Sequence, residues 1–305
     1  MVGSALLRRL QGAYSGCITR NRAELDLTDA RAVAGFFERE RPEYVFLAAA
    51  KVGGIQANST FPGDFTYQNL AIQLNVIEAA RQHGVKRLLF LGSSCVYPRD
   101  CPQPIREEYL LSGPLEPTNR AYAVAKISGI EMCGAYNRQY RTKFLAAMPT
   151  NLYGPGDNYD LQSSHVLPAL IRKFHEAKIG GDSTVTAWGS GAPRREFLYS
   201  DELADACVFL MNLPDAAFDS LLEADEPLIN IGRGEDLTIR DLTQIVSSTV
   251  GFKGDVVWDA SKPDGTPRKL LDVSRLSSLG WRAKMPLEEG IAMAYGDFLA
   301  TANTR

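Results

Sequence analysis

A chain of 305 residues with 33 Lys and Arg against 36 Asp and Glu, its charges spread along the sequence, can bury a large core and shows no basic stripe of the kind that tracks nucleic acid. No apolar run is long enough to suggest a membrane span, so neither nucleic acid nor membrane is an expected partner. Five cysteines (Cys17, Cys95, Cys101, Cys133, Cys207) are odd in number and lack CxxC spacing, and the three histidines (His83, His165, His175) form no HExxH pair. A disulfide framework and a zinc site are therefore not supported, no metal is expected, and a reducing cytoplasm fits best.

In chain order, the first ten residues have the pattern of an opening helix rather than of a strand or signal peptide. Up to about residue 155, helical stretches at 29–38, 68–82 and 122–140 alternate with apolar runs, weak at 15–19 and stronger at 44–49, Arg87–Leu91 and 144–148. That alternation predicts parallel βαβ units, with ligands beyond the carboxyl ends of the strands. After Asn151 the sequence Tyr153-Gly-Pro-Gly-Asp-Asn-Tyr-Asp160 is rich in turn formers, and a helix is expected over 166–178. A strand and helix over 196–213 and a strand at Leu228–Ile231 return to the first pattern. The expected organisation is an α/β chain with a doubly wound parallel sheet in 1–155, rejoined by 196–232, and a smaller C-terminal substrate-binding domain formed by 156–195 and 233–305.

Tyr122-Ala-Val-Ala-Lys126 places a phenol and an ammonium four residues apart on one helical face. A nearby ammonium favours phenolate, which makes the pair useful for proton transfer, although YxxxK alone also describes an ordinary exposed helix face. Ser93, just past the apolar run Leu88-Leu-Phe-Leu91, precedes the pair and tips the balance towards chemistry.

Ser, Tyr and Lys in this order resemble the short-chain dehydrogenases/reductases of the extended, nucleotide-sugar type, and the resemblance covers nearly the whole chain. It implies a Rossmann-like fold in which Tyr122 exchanges a proton with the carbonyl undergoing hydride transfer, Ser93 holds the same oxygen, and Lys126 lowers the Tyr122 pKa and holds the nicotinamide ribose. In Gly92-Ser-Ser-Cys-Val-Tyr-Pro98 the positions that carry Asp and Glu in the dehydratases of this superfamily are Ser94 and Cys95. A thiolate is a competent base for a carbon acid next to a ketone, while a small buried core residue is the commoner role of a free cysteine. Ser163-Ser-His-Val-Leu-Pro168 is similar to a stretch of the GDP-fucose synthases in which the histidine is an acid, so His165 is the expected partner of Cys95 on the opposite face of a sugar. Leu47-Ala-Ala-Ala-Lys-Val-Gly-Gly54, Met148-Pro-Thr-Asn-Leu-Tyr-Gly-Pro155 and Trp188-Gly-Ser-Gly-Ala-Pro-Arg-Arg-Glu-Phe197 are similar to the same family.

By that resemblance the cofactor is NADP(H), contacted by Gly3, Arg22, Asp26, Leu27, Leu91, Gly92, Ser93, Ser94, Lys126, Pro149, Thr150, Asn151, Leu152 and His165. Arg20 and Arg22 stand where NAD-preferring folds place an acid, which favours a 2′-phosphate. A GDP-linked keto-deoxy sugar would meet Lys173, Trp188, Arg195 and Asp264, with Lys173 and Arg195 suited to a diphosphate and Trp188 to apolar ring surface; for Lys173 a solvated helix face is an equal alternative. The implied activity is epimerisation at C3 and C5 followed by reduction at C4, in a homodimer. The resemblance further implies that the family's first strand and the first two glycines of GxxGxxG are missing, with Gly3 standing as the third, and that 15–19 and Arg87–Leu91 are short of backbone partners. Another nucleotide-sugar epimerase or 4-reductase, and a non-enzymatic NADP(H) sensor on the same fold, are the remaining readings.

Overall fold

The structure, a computed structural model, describes residues 1–223, 226–262 and 264–302. Its strands are β1 (Tyr44–Leu47), β2 (Arg87–Leu91), β3 (Phe144–Pro149), β4 (Asn151–Tyr153), β5 (Thr184–Trp188), β6 (Arg194–Arg195), β7 (Phe197–Tyr199), β8 (Leu228–Ile231), β9 (Leu237–Thr238), β10 (Asp255–Asp259) and β11 (Arg268–Lys269). Its α-helices are α1 (Val2–Gln11), α2 (Ala30–Glu40), α3 (Ile55–Thr60), α4 (Pro62–Gln82), α5 (Arg120–Tyr140), α6 (Val166–Gly180), α7 (Ser200–Met211), α8 (Asp215–Leu222), α9 (Ile239–Val250), α10 (Ser274–Ser278) and α11 (Leu287–Ala302).

The four stronger apolar runs form one parallel sheet in the order β1-β2-β3-β8. Because successive side chains point to opposite faces, Leu88, Phe90, Ala146 and Met148 enter a core shared with α2, α4 and α5. Leu89, Leu91, Leu145 and Ala147 enter a second core, shared with α1, α7, α8 and α10. Helices on both faces explain why β2 and β3 are apolar at nearly every position. A third core joins α6, α9 and α11 to β5 and β7, and forms the smaller part of the molecule. Leu276 and Trp281, in the segment that links α9 to α11, pack back against α7 and the sheet.

Two expectations are corrected. Residues 15–19 form no strand: they are exposed throughout and have no ladder partner among the described residues, and a strand needs one to satisfy its backbone. Arg87–Leu91 is not short of partners either, since β2 is bonded on one side by β1 and on the other by β3, and the open edges are β1 and β8.

The approach of α5 to β2 positions everything that follows. Gln73 of α4 donates to the Ala125 carbonyl at 2.6 Å, and Gly129 lies directly over Phe90. A Cβ at Gly129 would stand 2.5 Å from the Phe90 ring and 3.0 Å from Gln73 Oε1. Gly129→Ala is therefore expected to push α5 off the sheet at a cost of about 1–3 kcal/mol, lowering the Tm by about 2–8 °C in calorimetry. An unchanged Tm would show that the close approach constrains nothing.

Candidate active site

Ser93 follows β2 and opens a short 3-10 turn, Ser94–Val96, in which its hydroxyl accepts the Cys95 N–H at 3.3 Å. Tyr122 and Lys126, one turn apart on α5, both face inward over the end of β2 and are buried. The Tyr122 hydroxyl is hydrogen-bonded with Ser93; burial raises its pKa, the nearby Cys95 adds to the rise, and the Ser93 bond opposes it. Lys126, 3% exposed, donates to the Leu91 carbonyl at 2.7 Å and lies 4.6 Å from the centre of the Phe90 ring. Burial lowers its pKa to about 7. The lowering of the Tyr122 pKa by Lys126 that the resemblance implies is absent from this arrangement, because the ammonium turns to Leu91 and burial dominates at the phenol.

Cys95 is half-buried, and two donors point at its sulfur: the Asn119 amide at 3.1 Å and the Lys269 ammonium at 3.7 Å. His165 stands immediately before the first turn of α6, is exposed, and lies near enough to the protein interior to be partly desolvated. That desolvation lowers its pKa, and Lys269 lowers it further. The stretch before His165 is fixed by Asp160, which accepts the N–H groups of Gln162 and Ser163. It is also docked on the Lys51–Gly54 loop: Gly54 N–H donates to the Ser163 carbonyl at 3.0 Å, and a Cβ on Gly54 would come within 2.8 Å of the Ser164 oxygen. A glycine is needed there for the loop and the histidine segment to meet.

The other expected residues fall into two groups. Leu91, Gly92, Ser93 and Ser94 end β2, while Pro149, Thr150, Asn151 and Leu152 run from β3 into β4, so two neighbouring strand ends bring them side by side. Gly3 lies in the first turn of α1 with open space beside it. Arg22 is exposed, whereas Arg20 is held by an ion pair with Glu40 at 3.0 Å and by the Phe36 ring. Asp26 accepts the N–H and hydroxyl of Thr28, which hold its carboxyl below the usual range, and Leu27 packs inward against the first core.

Of the residues expected to meet substrate, Trp188 is half-exposed, with Lys173 5.0 Å from its ring centre and Lys262 at 5.4 Å. Lys173 also donates to the Thr186 carbonyl at 3.0 Å, and burial lowers its pKa against the pull of Asp259. Asp264 accepts from Ser190 N–H at 2.8 Å and Ser190 Oγ at 2.7 Å, fixing the turn after Trp188. Arg195 of β6 is the register partner of Lys269; burial lowers its pKa, while Cys95, Asp264 and Glu116 pull the other way.

A family model described as "NAD dependent epimerase/dehydratase family" matches residues 1–232. The chain belongs to that epimerase/dehydratase family. A putative GDP-L-fucose synthase 2 of Arabidopsis thaliana is 54% identical over 300 residues, 98% of this chain and 89% of that protein. A GDP-L-fucose synthase of Escherichia coli strain K12 is 54% identical over 303 residues, covering 98% of this chain and 94% of its own length. Among solved structures, a GDP-L-fucose synthetase from Naegleria fowleri bound to NADP superposes with a TM-score of 0.87 at 28% identity, over 99% of this chain and 92% of that one.

Three residues of this candidate site escaped the reading of the sequence: Asn119, Lys269 and Lys262. Asn119 stands three residues before Tyr122, close enough to the motif to have been noticed. Lys269 lies on a two-residue strand 174 residues from Cys95, where no periodicity points to it.

Lys126 makes a testable demand on stability. Its pKa in the folded chain, about 7, is below the ordinary 10.5, so between these values the unfolded chain binds the extra proton and stability rises with pH. The slope from this one group approaches about 1.4 kcal/mol per pH unit. Lys126→Met is expected to flatten the rise between pH 7 and pH 10, as measured by urea unfolding at stepped pH. A slope identical to the parent chain's would mean that Lys126 is not buried as a titrating amine.

Proposed function

We propose that this chain is a GDP-L-fucose synthase, an NADPH-dependent enzyme that epimerises GDP-4-keto-6-deoxy-D-mannose at C3 and C5 and reduces it at C4 to GDP-L-fucose. The observation that carries the reading is the placing of two chemistries at one strand end. A Ser–Tyr pair suited to a carbonyl oxygen adjoins a cysteine sulfur that two side-chain donors address. Relatives named as GDP-L-fucose synthases, 54% identical over nearly the whole chain, support the same substrate.

The C4 ketone acidifies the hydrogens at C3 and C5. At each carbon the Cys95 thiolate takes the proton, leaving an enolate and a thiol, and the His165 imidazolium, made a stronger acid by its lowered pKa, delivers a proton to that carbon from the opposite face; thiol and imidazole then return to their starting forms by proton exchange with solvent. The hydroxyls of Ser93 and Tyr122 hold the oxygen on which negative charge develops. The raised pKa of Tyr122 keeps the phenol protonated, the form needed to donate to the C4 oxygen during reduction. NADPH supplies the hydride when bound. The residues present fit it: Lys126 spends one donor on Leu91 and has others for a ribose hydroxyl, Arg22 presents an exposed guanidinium to a 2′-phosphate, and the first turn of α1 at Gly3 opens onto free space suited to a pyrophosphate. Lys173, Lys262, Trp188 and Arg195 line the side where the GDP moiety would lie, and Asp264 fixes the adjoining turn.

Exposed Tyr67 and Leu74 on α4, with Val124 and Tyr140 on α5, support a homodimer paired through these helices. Five unpaired cysteines support a reducing, cytoplasmic setting. Cys95→Ser is expected to abolish solvent deuterium uptake at C3 and C5 while leaving NADPH affinity unchanged in calorimetry. Undiminished exchange in that variant would remove Cys95 as the base. If the parent chain instead turned over only other GDP-linked keto sugars, the substrate assignment would fall.

A further inference from the structure

Glu196 is completely buried between β6 and β7, and no ion pair reaches it among the described residues. Its carboxylate is addressed by three backbone donors: Oε1 accepts Arg233 N–H at 2.6 Å and Gly234 N–H at 2.7 Å, and Oε2 accepts Leu271 N–H at 3.0 Å. Burial raises its pKa, and these bonds together with the Thr150 side chain oppose the rise. The main-chain oxygen of the same residue accepts Asn151 Nδ2 at 2.8 Å and Thr150 Oγ1 at 3.2 Å. Glu196 thus fastens three separate segments: the loop after β8, the chain just beyond β11, and the start of β4 where it leaves the central sheet. The loop is pressed hard against it, since a Cβ on Gly232 would stand 2.3 Å from Oε1.

A carboxyl group with no countercharge is a costly way to join backbone segments, and an amide of the same shape has only one accepting oxygen. What two acceptors secure is the placement of the neighbours. Arg195 immediately precedes Glu196, and Lys269, two residues before Leu271, reaches to 3.7 Å from Cys95 Sγ. Arg195 and Lys269 are register partners in the β6–β11 ribbon, so one side chain fixes both strands that bring cations to the sulfur.

We propose that Glu196 is a positioning residue for epimerisation: by holding the β6–β11 ribbon it sets Lys269 against Cys95, and it does not take part in the hydride-transfer half of the reaction. The inference rests on the activity proposed above. In Glu196→Gln the amide NH2 confronts a backbone N–H, releasing one of the fastened segments without emptying the site.

The experiment uses the full chain with NADPH and GDP-4-keto-6-deoxy-D-mannose in deuterated water, reading deuterium at C3 and C5 and the products by NMR. Glu196→Gln should lower exchange about ten- to hundredfold while NADPH affinity stays within about twofold. C4-reduced sugar that keeps its original C3 and C5 configuration should then rise relative to the epimerised product. Gly232→Ala, which pushes on the carboxylate from outside, should shift the ratio the same way, and it serves as the readout if Glu196→Gln does not fold. Exchange at the parent rate, or exchange and reduction falling by one common factor with the product ratio unchanged, would overturn the proposal. A parent chain that itself shows no exchange would overturn the functional reading first, and this inference with it.

Discussion

The close crossing of α5 over β2 is the constraint on which the site depends. A helix carrying Tyr122 and Lys126 works only if its axis comes near enough to the strand end for both side chains to overhang it. The absence of a side chain at Gly129, above Phe90, permits that distance. Once the helix is seated, Lys126 is largely withdrawn from water and donates to Leu91, and Tyr122 falls beside Ser93. Packing thus places the groups, and their unusual proton affinities follow from the packing.

The surroundings of Cys95 are assembled differently. Their cations, Arg195 and Lys269, sit on two-residue strands too short to be held by their own ladders, and depend on contacts with segments far away in the chain. Around Cys95 the side chains of Asn119 and Lys269 come from widely separated parts of the sequence, and the segment before His165 is placed by the meeting of two loops at Gly54. The groups proposed for reduction therefore ride on a helix and a sheet. Those proposed for epimerisation ride on a mosaic of loops, where small displacements matter more.

This division also sets what could be read from the sequence. Four central strands and the long helices were legible because buried parallel strands are apolar throughout and amphipathic helices repeat every three to four residues. Tyr122 and Lys126 lie on one of those helices and share a motif, and Ser93 comes just past one of those strands. Residues 15–19 resembled a strand in composition, but a strand exists only with a partner, and composition does not report partners. Lys269 and Glu196 were invisible as site residues for a related cause: one is a charged residue on a two-residue strand, the other a carboxylate between the short strands β6 and β7, and only the folded chain shows that they converge on the surroundings of Cys95.

Trp188 has a consequence of an optical kind. Of the three tryptophans, Trp281 is buried and bonded to Asp205, and Trp258 lies beneath the Arg240 guanidinium, while Trp188 is half-open between two ammonium groups. An indole in that position emits from a wet, strongly polar surrounding. A nucleotide settling against it would drain the water and draw both lysines toward its phosphates. If the sugar nucleotide lies as proposed, the intrinsic fluorescence of the chain would serve as a gauge of its occupancy.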